Sequence, residues 1–502
     1  MFASFLIPSV FEDVRARHLC VFYAQLAALG REQVGFIGEP AYFEAPASLE
    51  AAGRPEWQES WRTTYGYDPP VDLAGVSHAA LPADLLAPRL RRLGSSWKMY
   101  GQLVTRRLPE LEAAFGLALQ ELDSQAPVEA ILAFANNPSV SHVARQRGLP
   151  IVHNEFGPLR PPGYVMTGYW DRRGVSRASE ATSRYSTFRR LSMAARVPLL
   201  DREEMLEVLR RTPSPAPGAE PPRYRVGVAL QGEDNAYVHG IGALDLLSMA
   251  RRHHRAIDVL VRYHPGSVAR YSPTLAATDT SPSATSFITQ CDTVLTVSSG
   301  TALEAMLLGR RAVVVGDSPL ALAADTGLET RRRHSEVELL RRLNFLVFGY
   351  LVPGALMFDP AYVRWRLTEP GELDIFRHHQ RWYRARMLEQ PRPEQPAVAL
   401  AAAVKLPDVT ENDGRPAAHV VFGAGAATSG LVTRLRAARV ALRGVFDNDS
   451  GKWGVEVAGV RIEPPRFCEH TSVVVASLTH ADTIVNQLHT LGYPPERVLR
   501  LR

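Results

Sequence analysis

Short, valine-rich apolar runs separated by helix-length stretches constrain this chain more than any other feature. Tyr224–Leu230, Ile257–Tyr263, Thr293–Val297 and Ala312–Val315 are such runs, with helical stretches between them. A strand that is apolar at nearly every position is buried on both faces. That is the signature of a parallel sheet covered by helices on either side. The same order recurs upstream. There Val34–Ile37, Ala130–Phe134 and Pro150–His153 read as strands, and 15–29, 98–122 and 138–147 as helices, while 40–90 reads as irregular. It recurs in small downstream, in His419–Phe422, Leu442–Phe446 and Ser472–Ala476. The expected fold class is therefore α/β throughout.

Two breaks divide the chain. Thr212–Pro222 is proline-rich and can be neither helix nor central strand. Pro391–Pro416 is a second, looser break. The expected domains are 1–211, 223–390 and 417–502, which suits 502 residues at roughly 100–200 per domain. Hydrophobic residues at 46% and charged residues at 22% exclude a disordered or coiled-coil chain. No apolar run approaches the roughly 18 residues of a membrane span. The first residues lack a basic n-region and meet Glu12 and Asp13, so no secretory leader is expected. Cys20, Cys291 and Cys468 lie too far apart for a disulfide framework or a metal-ligand motif, which fits a reducing, cytoplasmic setting. The net charge of +5 comes from scattered arginines, lysine occurring only at 98, 405 and 452. We read it as base composition, and no nucleic-acid partner is expected.

Ligands of open parallel sheets bind at the carboxyl ends of the strands. In the second segment those ends carry Gln231-Gly-Glu-Asp234-Asn235, Arg262-Tyr-His264-Pro265, Ser298-Ser299-Gly300-Thr301 and Gly316-Asp317-Ser318. Small residues between a strand and a helix, as at Ser298, Ser299, Gly300 and Thr301, leave N–H groups for an anion such as phosphate. Thr301-x-x-Glu304 also fits a capping box, so Glu304 reads equally as a cap and as a ribose ligand. His264 can donate to a phosphate oxygen. Asp234 reads as a turn residue or as a carboxylate nucleophile or base. In the first segment, Glu155 stands at the end of the strand Pro150–His153. If the two sheets face each other, Glu155 and Asp234 flank one cleft, the pair that double-displacement glycosyl transfer needs. The chain has no P-loop, His-Glu-x-x-His or clear Asp-x-Asp, and no metal is expected.

In the third segment a glycine turn, Gly423-Ala-Gly425, follows a strand, with Asp447 about twenty positions on. Thr428 stands where the dinucleotide fingerprint has its third glycine. A small Rossmann-like accessory module and a nucleotide site both remain open there.

His264-Pro265 and Ser298-Ser299 resemble the HP and SS motifs of bacterial transferases that use CMP-activated sugars. Asn154-Glu-Phe-Gly-Pro-Leu-Arg160, the stretch from Tyr164 through Tyr169-x-Asp171 to Val175, and Gln231-x-x-Asp234 resemble the retaining β-Kdo glycosyltransferases of O-antigen and capsule assembly. The resemblance spans roughly 1–390 and implies a GT-B-like pair of Rossmann-type domains, to which the tail adds a small Rossmann-like domain. It implies Asp234 as nucleophile, Glu155 as second carboxylate, and His264, Ser298, Ser299, Gly300, Thr301 and Glu304 around CMP. Arg160, on the loop of Glu155, is the candidate to offset the carboxylate of the sugar. The implied partners are a CMP-sugar donor and a glycan or lipid-linked acceptor, with peripheral contact at the inner face of the inner membrane or with assembly enzymes, and no cofactor. The alternatives are a CMP-sialic acid or other nucleotide-sugar transferase, and a non-catalytic scaffold of a polysaccharide-assembly complex.

Overall fold

The computed structural model describes residues 1–8, 14–46, 62, 67–176, 179–211, 221–231, 240–264, 276–329, 333–389, 418–423, 428, 431–432, 435–436, 440–476 and 481–500. Two compact units form, Met1–Met387 and Leu388–Arg502. Asp234, Pro265, Gly425 and the break 391–416 lie outside the described residues.

Unit 1 holds two sheets. The first contains β1 (Phe2–Phe5), β2 (Val34–Gly38), β3 (His78–Ala80), β4 (Ala130–Phe134), β5 (Ile151–Phe156) and β6 (Thr167–Asp171). The second contains β7 (Tyr224–Ala229), β8 (Val259–Arg262), β9 (Ala277–Thr278), β10 (Cys291–Thr296) and β11 (Arg311–Val314). A late strand, β12 (Val352–Pro353), returns to the first sheet, whose order is β12-β6-β5-β4-β1-β2-β3. β1 to β5 are parallel, whereas β6 pairs antiparallel with β5, and β12 antiparallel with β6. The second sheet runs β11-β10-β7-β8-β9 and is parallel throughout, as its continuous apolar strands require.

The helix expected over 98–122 is two helices, Ser96–Thr105 and Pro109–Gln125. Proline has no N–H to donate and its ring clashes with the preceding turn, so Pro109 starts a helix rather than continuing one. Leu111, Phe115, Ala118, Leu119 and Leu122 form the buried stripe of the second helix. Phe115 meets Phe5 edge to face at 5.5 Å.

Packing ties the two sheets together more tightly than the linkers suggest. Helices Ala181–Ala194 and Arg202–Leu209 precede the proline-rich break, yet they share a core with Leu303 and Leu307 beside the second sheet. Conversely, Val352, Met357, Tyr362 and Val363 pack into the core of the first sheet with Phe2 and Trp170. The return is locked by Arg184, which donates to both carboxylate oxygens of Glu372 (2.8 and 3.1 Å) and to the Gly349 carbonyl (2.8 Å). Tyr350 donates to buried Asp171, which also accepts the N–H groups of Arg173, Gly174 and Glu180. The free cysteines are all buried.

Unit 2 carries β13 (Ala418–Phe422), β14 (Leu442–Phe446), β15 (Glu456–Val457), β16 (Val460–Glu463), β17 (Thr471–Val475) and β18 (Val498–Arg500), in the order β15-β16-β14-β13-β17-β18. All pairs except β15–β16 are parallel, a small Rossmann-like sheet.

Replacing Arg184 by Ala leaves the mostly enclosed Glu372 without its partner, and we expect a loss of about 3 kcal/mol in urea unfolding. The double variant R184A/E372A should recover part of it. Because unit 1 has cores of its own, a chain ending at Gln390 should fold with a cooperative thermal transition. Aggregation of that shortened chain, with the full chain remaining in solution, would show that the tail is needed for folding.

Candidate functional site

The carboxyl ends of the two sheets meet at one place. Gly300 follows β10, and Pro158 follows β5. A Cβ on Gly300 would lie 2.8 Å from the Pro158 carbonyl oxygen and 2.9 Å from its Cα, so no side chain fits between the loops. Glycine at 300 is what lets the strand-end loops touch. Glu155 is half-buried on β5, opposite Tyr169 of β6 and three residues before Pro158 in the chain. Burial pushes the Tyr169 phenol up, with the Glu155 charge adding to the rise and Arg160 opposing it. Arg160 is held against its own loop, donating to the carbonyls of Gly157 (2.7 Å) and Phe156 (3.0 Å).

Gln231, Ser298 and His264 stand on adjacent strands. Gln231 follows β7, the strand between β10 and β8. Its amide Nε2 donates to the Ser298 hydroxyl (3.1 Å), and its Oε1 accepts the Ser298 N–H (3.1 Å). His264 is exposed just beyond β8, two strand spacings or about 10 Å from the Ser298 strand.

The loop Ser298–Thr301 is more self-satisfied than the sequence suggests. Besides the Ser298 N–H, that of Ser299 reaches the Thr296 hydroxyl (3.4 Å) and that of Thr301 the Ser299 hydroxyl (3.3 Å). Ser299 and Thr301 also join hydroxyl to hydroxyl (3.0 Å). The following helix, Thr301–Leu307, is short, and an anion here would rest mainly on hydroxyls rather than on free N–H groups.

The capping-box reading of Glu304 fails. The cap residue is Gly300, with no side-chain bond, so Thr301 is already inside the helix and Glu304 lies beyond the capping position. Burial instead pushes its carboxyl up to about 7, against the lowering effects of the Tyr164 hydroxyl and the Arg262 guanidinium. Tyr164 belongs to the stretch between β5 and β6, so this carboxyl also sits where the two halves of the unit meet. Sequence reasoning had no access to that neighbour, since the contact exists only once both sheets have formed. Arg262 itself is paired with Asp279 (2.5 Å).

In unit 2, Gly423 takes φ +107° after β13, and its N–H donates to Phe446 (2.7 Å). Asp447 is engaged locally, accepting the Asp449 N–H (2.8 Å) and facing Lys452 (3.4 Å). Among the described residues no helix is long and apolar enough to cross a membrane.

Two parallel-sheet halves meeting at their strand ends, with a small Rossmann-like module following, define an α/β chain of the GT-B kind. Residues 4–180 match the model of the glycosyltransferase 99 family N-terminal domain. Among solved structures, the β-Kdo 2,7 transferase of Thermosulfurimonas dismutans KpsC aligns at 15% identity over 49% of this chain and 90% of its own, with a TM-score of 0.31. The calicheamicin glycosyltransferase CalG4 aligns at 13% identity over 73% and 97%, with a TM-score of 0.32. MurG of Acinetobacter baumannii aligns at 12% identity over 76% and 99%, with a TM-score of 0.28. No curated protein matches the chain.

The Glu304 carboxyl gives the site a pH signature. Its value in the folded chain is raised from 4.5 to about 7, so the folded state holds the proton more tightly than the unfolded one. Stability is therefore fully present below about pH 4.5 and lost progressively as pH rises towards 7. Thermal melts of E304Q against the parent chain should diverge across that window and run parallel above it. Parallel curves throughout would show that Glu304 is not held in its neutral form.

Proposed function

We propose that this chain is a glycosyltransferase that moves Kdo from CMP-Kdo to a glycan acceptor with retention, in the building of a bacterial surface polysaccharide. The observation that carries the reading is the junction at Gly300, where the loop after Glu155 meets the loop of Ser298 and Ser299. That contact supports a shared rim for the strand that carries Glu155 and the hydroxyl-rich strand ends of the second sheet. The family match of residues 4–180 supports glycosyl transfer, and the His264 and Ser298-Ser299 motifs favour a CMP-activated donor.

In this reading His264, Ser298, Ser299, Gly300 and Thr301 hold the CMP phosphate, and Glu304 meets the ribose. A carboxyl near pH 7 in its titration can accept from or donate to a sugar hydroxyl. Asp234 attacks the anomeric carbon, and CMP departs with the electron pair of the broken C–O bond, leaving a sugar ester on the enzyme. His264 offsets the charge of the leaving phosphate, so no strong acid is required. Glu155 then takes the proton of the acceptor hydroxyl, which attacks the same carbon from the vacated face and restores Asp234. Arg160 balances the carboxylate of Kdo. The site works inside the cytoplasm, where activated sugars are made, against an acceptor presented at the inner membrane face.

Thermal shift with CMP, UDP, GDP and ADP tests the donor. CMP at 100 times its dissociation constant should stabilise by about 2.7 kcal/mol. H264A should lose about 1.5–3 kcal/mol of that binding. Stabilisation by UDP and not by CMP would overturn the donor assignment. For the mechanism, E155Q incubated with CMP-Kdo should accumulate a covalent adduct, visible by intact mass and mapping to Asp234. D234N should bind CMP and lose transfer by several orders of magnitude. Inversion at the anomeric carbon would overturn the double displacement, and products built from CMP-sialic acid alone would overturn the sugar.

A further inference from the structure

A second polar cleft, of about 930 Å³, opens beside β11 and contains none of the residues assigned above. It lies between helix Ala181–Ala194, helix Glu336–Asn344 and the loop that begins at Asp317. Its size falls within the range of small-ligand pockets, about 300–1,000 Å³. It also continues the row of strand ends. Gly316 donates its N–H to the Val297 carbonyl (2.9 Å), which sets Asp317 next to the Ser298 loop.

The charge of this cleft is unbalanced. Arg189, Arg333, Arg341 and Arg342 line it, against the two carboxylates of Glu338 and Asp317. Three of those arginines converge on Glu338, at 3.5 Å (Arg189), 3.7 Å (Arg341) and 3.0 Å (Arg342). Glu338 also accepts from the Tyr185 hydroxyl (2.6 Å), so it has no room to neutralise them all. Burial works to raise the Glu338 carboxyl, but Tyr185, Arg342 and Arg189 outweigh it and hold the group below its usual range. The Nε of Arg341 is buried without a hydrogen-bond partner. Guanidiniums in excess around a pocket are matched by a carboxylate or phosphate that binds two N–H groups at once. Most of the remaining wall is hydroxyl, from Ser179, Thr182, Ser186 and Ser335, which suits the hydroxyls of a sugar. The apolar part is small, from Ala181, Ala321 and Leu322 among others, and would not hold an acyl chain.

We propose that this arginine-lined cleft is a binding subsite for a carboxylated oligosaccharide, the acidic stretch of the acceptor chain. The identification of the occupant as acceptor rests on the transferase reading; the anion site itself does not. An acidic sugar bound here would lie along the β11 edge, with its growing end directed towards Ser298 and the junction at Gly300.

The test uses the full chain with oligogalacturonate as probe, neutral maltotetraose as control and CMP alongside, all by titration calorimetry at low salt. Oligogalacturonate should bind, weaken as salt is added, and lose at least about tenfold in R189Q and in R333Q. Maltotetraose should not bind, and CMP binding should be unchanged in both variants. Unaltered melting of the two variants excludes a folding defect, since Arg189 is half-exposed. Equal binding of maltotetraose, or undiminished oligogalacturonate binding in both variants, would overturn the proposal. So would capture of the protein by phosphatidylglycerol vesicles through these arginines in the absence of oligogalacturonate binding. If oligogalacturonate binds as expected and CMP does not, the subsite stands and the CMP-donor reading falls.

Discussion

Arg184 brings a full positive charge into the interior of unit 1, and the arrangement of the cleft follows from what that charge requires. An unpaired guanidinium at such depth would cost several kcal/mol, so the chain must deliver partners to it. It delivers Glu372 and the Gly349 carbonyl, from the stretch that runs through Tyr350, β12 and the last helices of the unit. Since Tyr350 in turn donates to Asp171 at the end of β6, the same network fixes the edge of the first sheet. The network thus links the helix of Arg184, which packs in the core beside the second sheet, to the edge of the first sheet, in the same unit whose loops after β5 and β10 touch at Gly300.

The strand-end rim divides into regions of different electrostatic character. Around Ser298 the polar groups are mutually bonded, and burial pushes the nearby Glu304 carboxyl up to about 7. Around Asp317 the wall is cationic, because one carboxylate is shared among three guanidiniums. The two regions therefore differ in charge although they lie side by side on the strand ends of one sheet.

Much of the fold was legible as local pattern. β4 appears as Ala130–Phe134, the range read from its apolar run, and β14 as Leu442–Phe446. A run with no polar position, such as Ala130–Phe134, is buried on both faces between two layers, while β14 keeps its one polar residue, Arg443, exposed near its start. The break at Pro109 was legible in principle, since a proline inside a helical pattern marks a start or a stop. The antiparallel β6 and the return of β12 carried no such mark. Two-residue β12 is too short to show a period, and its place depends on packing rather than on its own composition.

The candidate site divides in the same way. That His264, Ser298, Ser299 and Glu155 stand at strand ends was determined by the sequence alone, because the end of an apolar run is a local property. That Glu304 faces Tyr164 and Arg262 instead of capping its helix was decided by the tertiary structure. So was the contact of Gly300 with Pro158, and so was the pairing of Arg184 with Glu372, residues 188 positions apart. The periods of strand and helix are written within a few residues. Burial, and the charge that burial makes expensive, arise only when distant segments exclude water from one another.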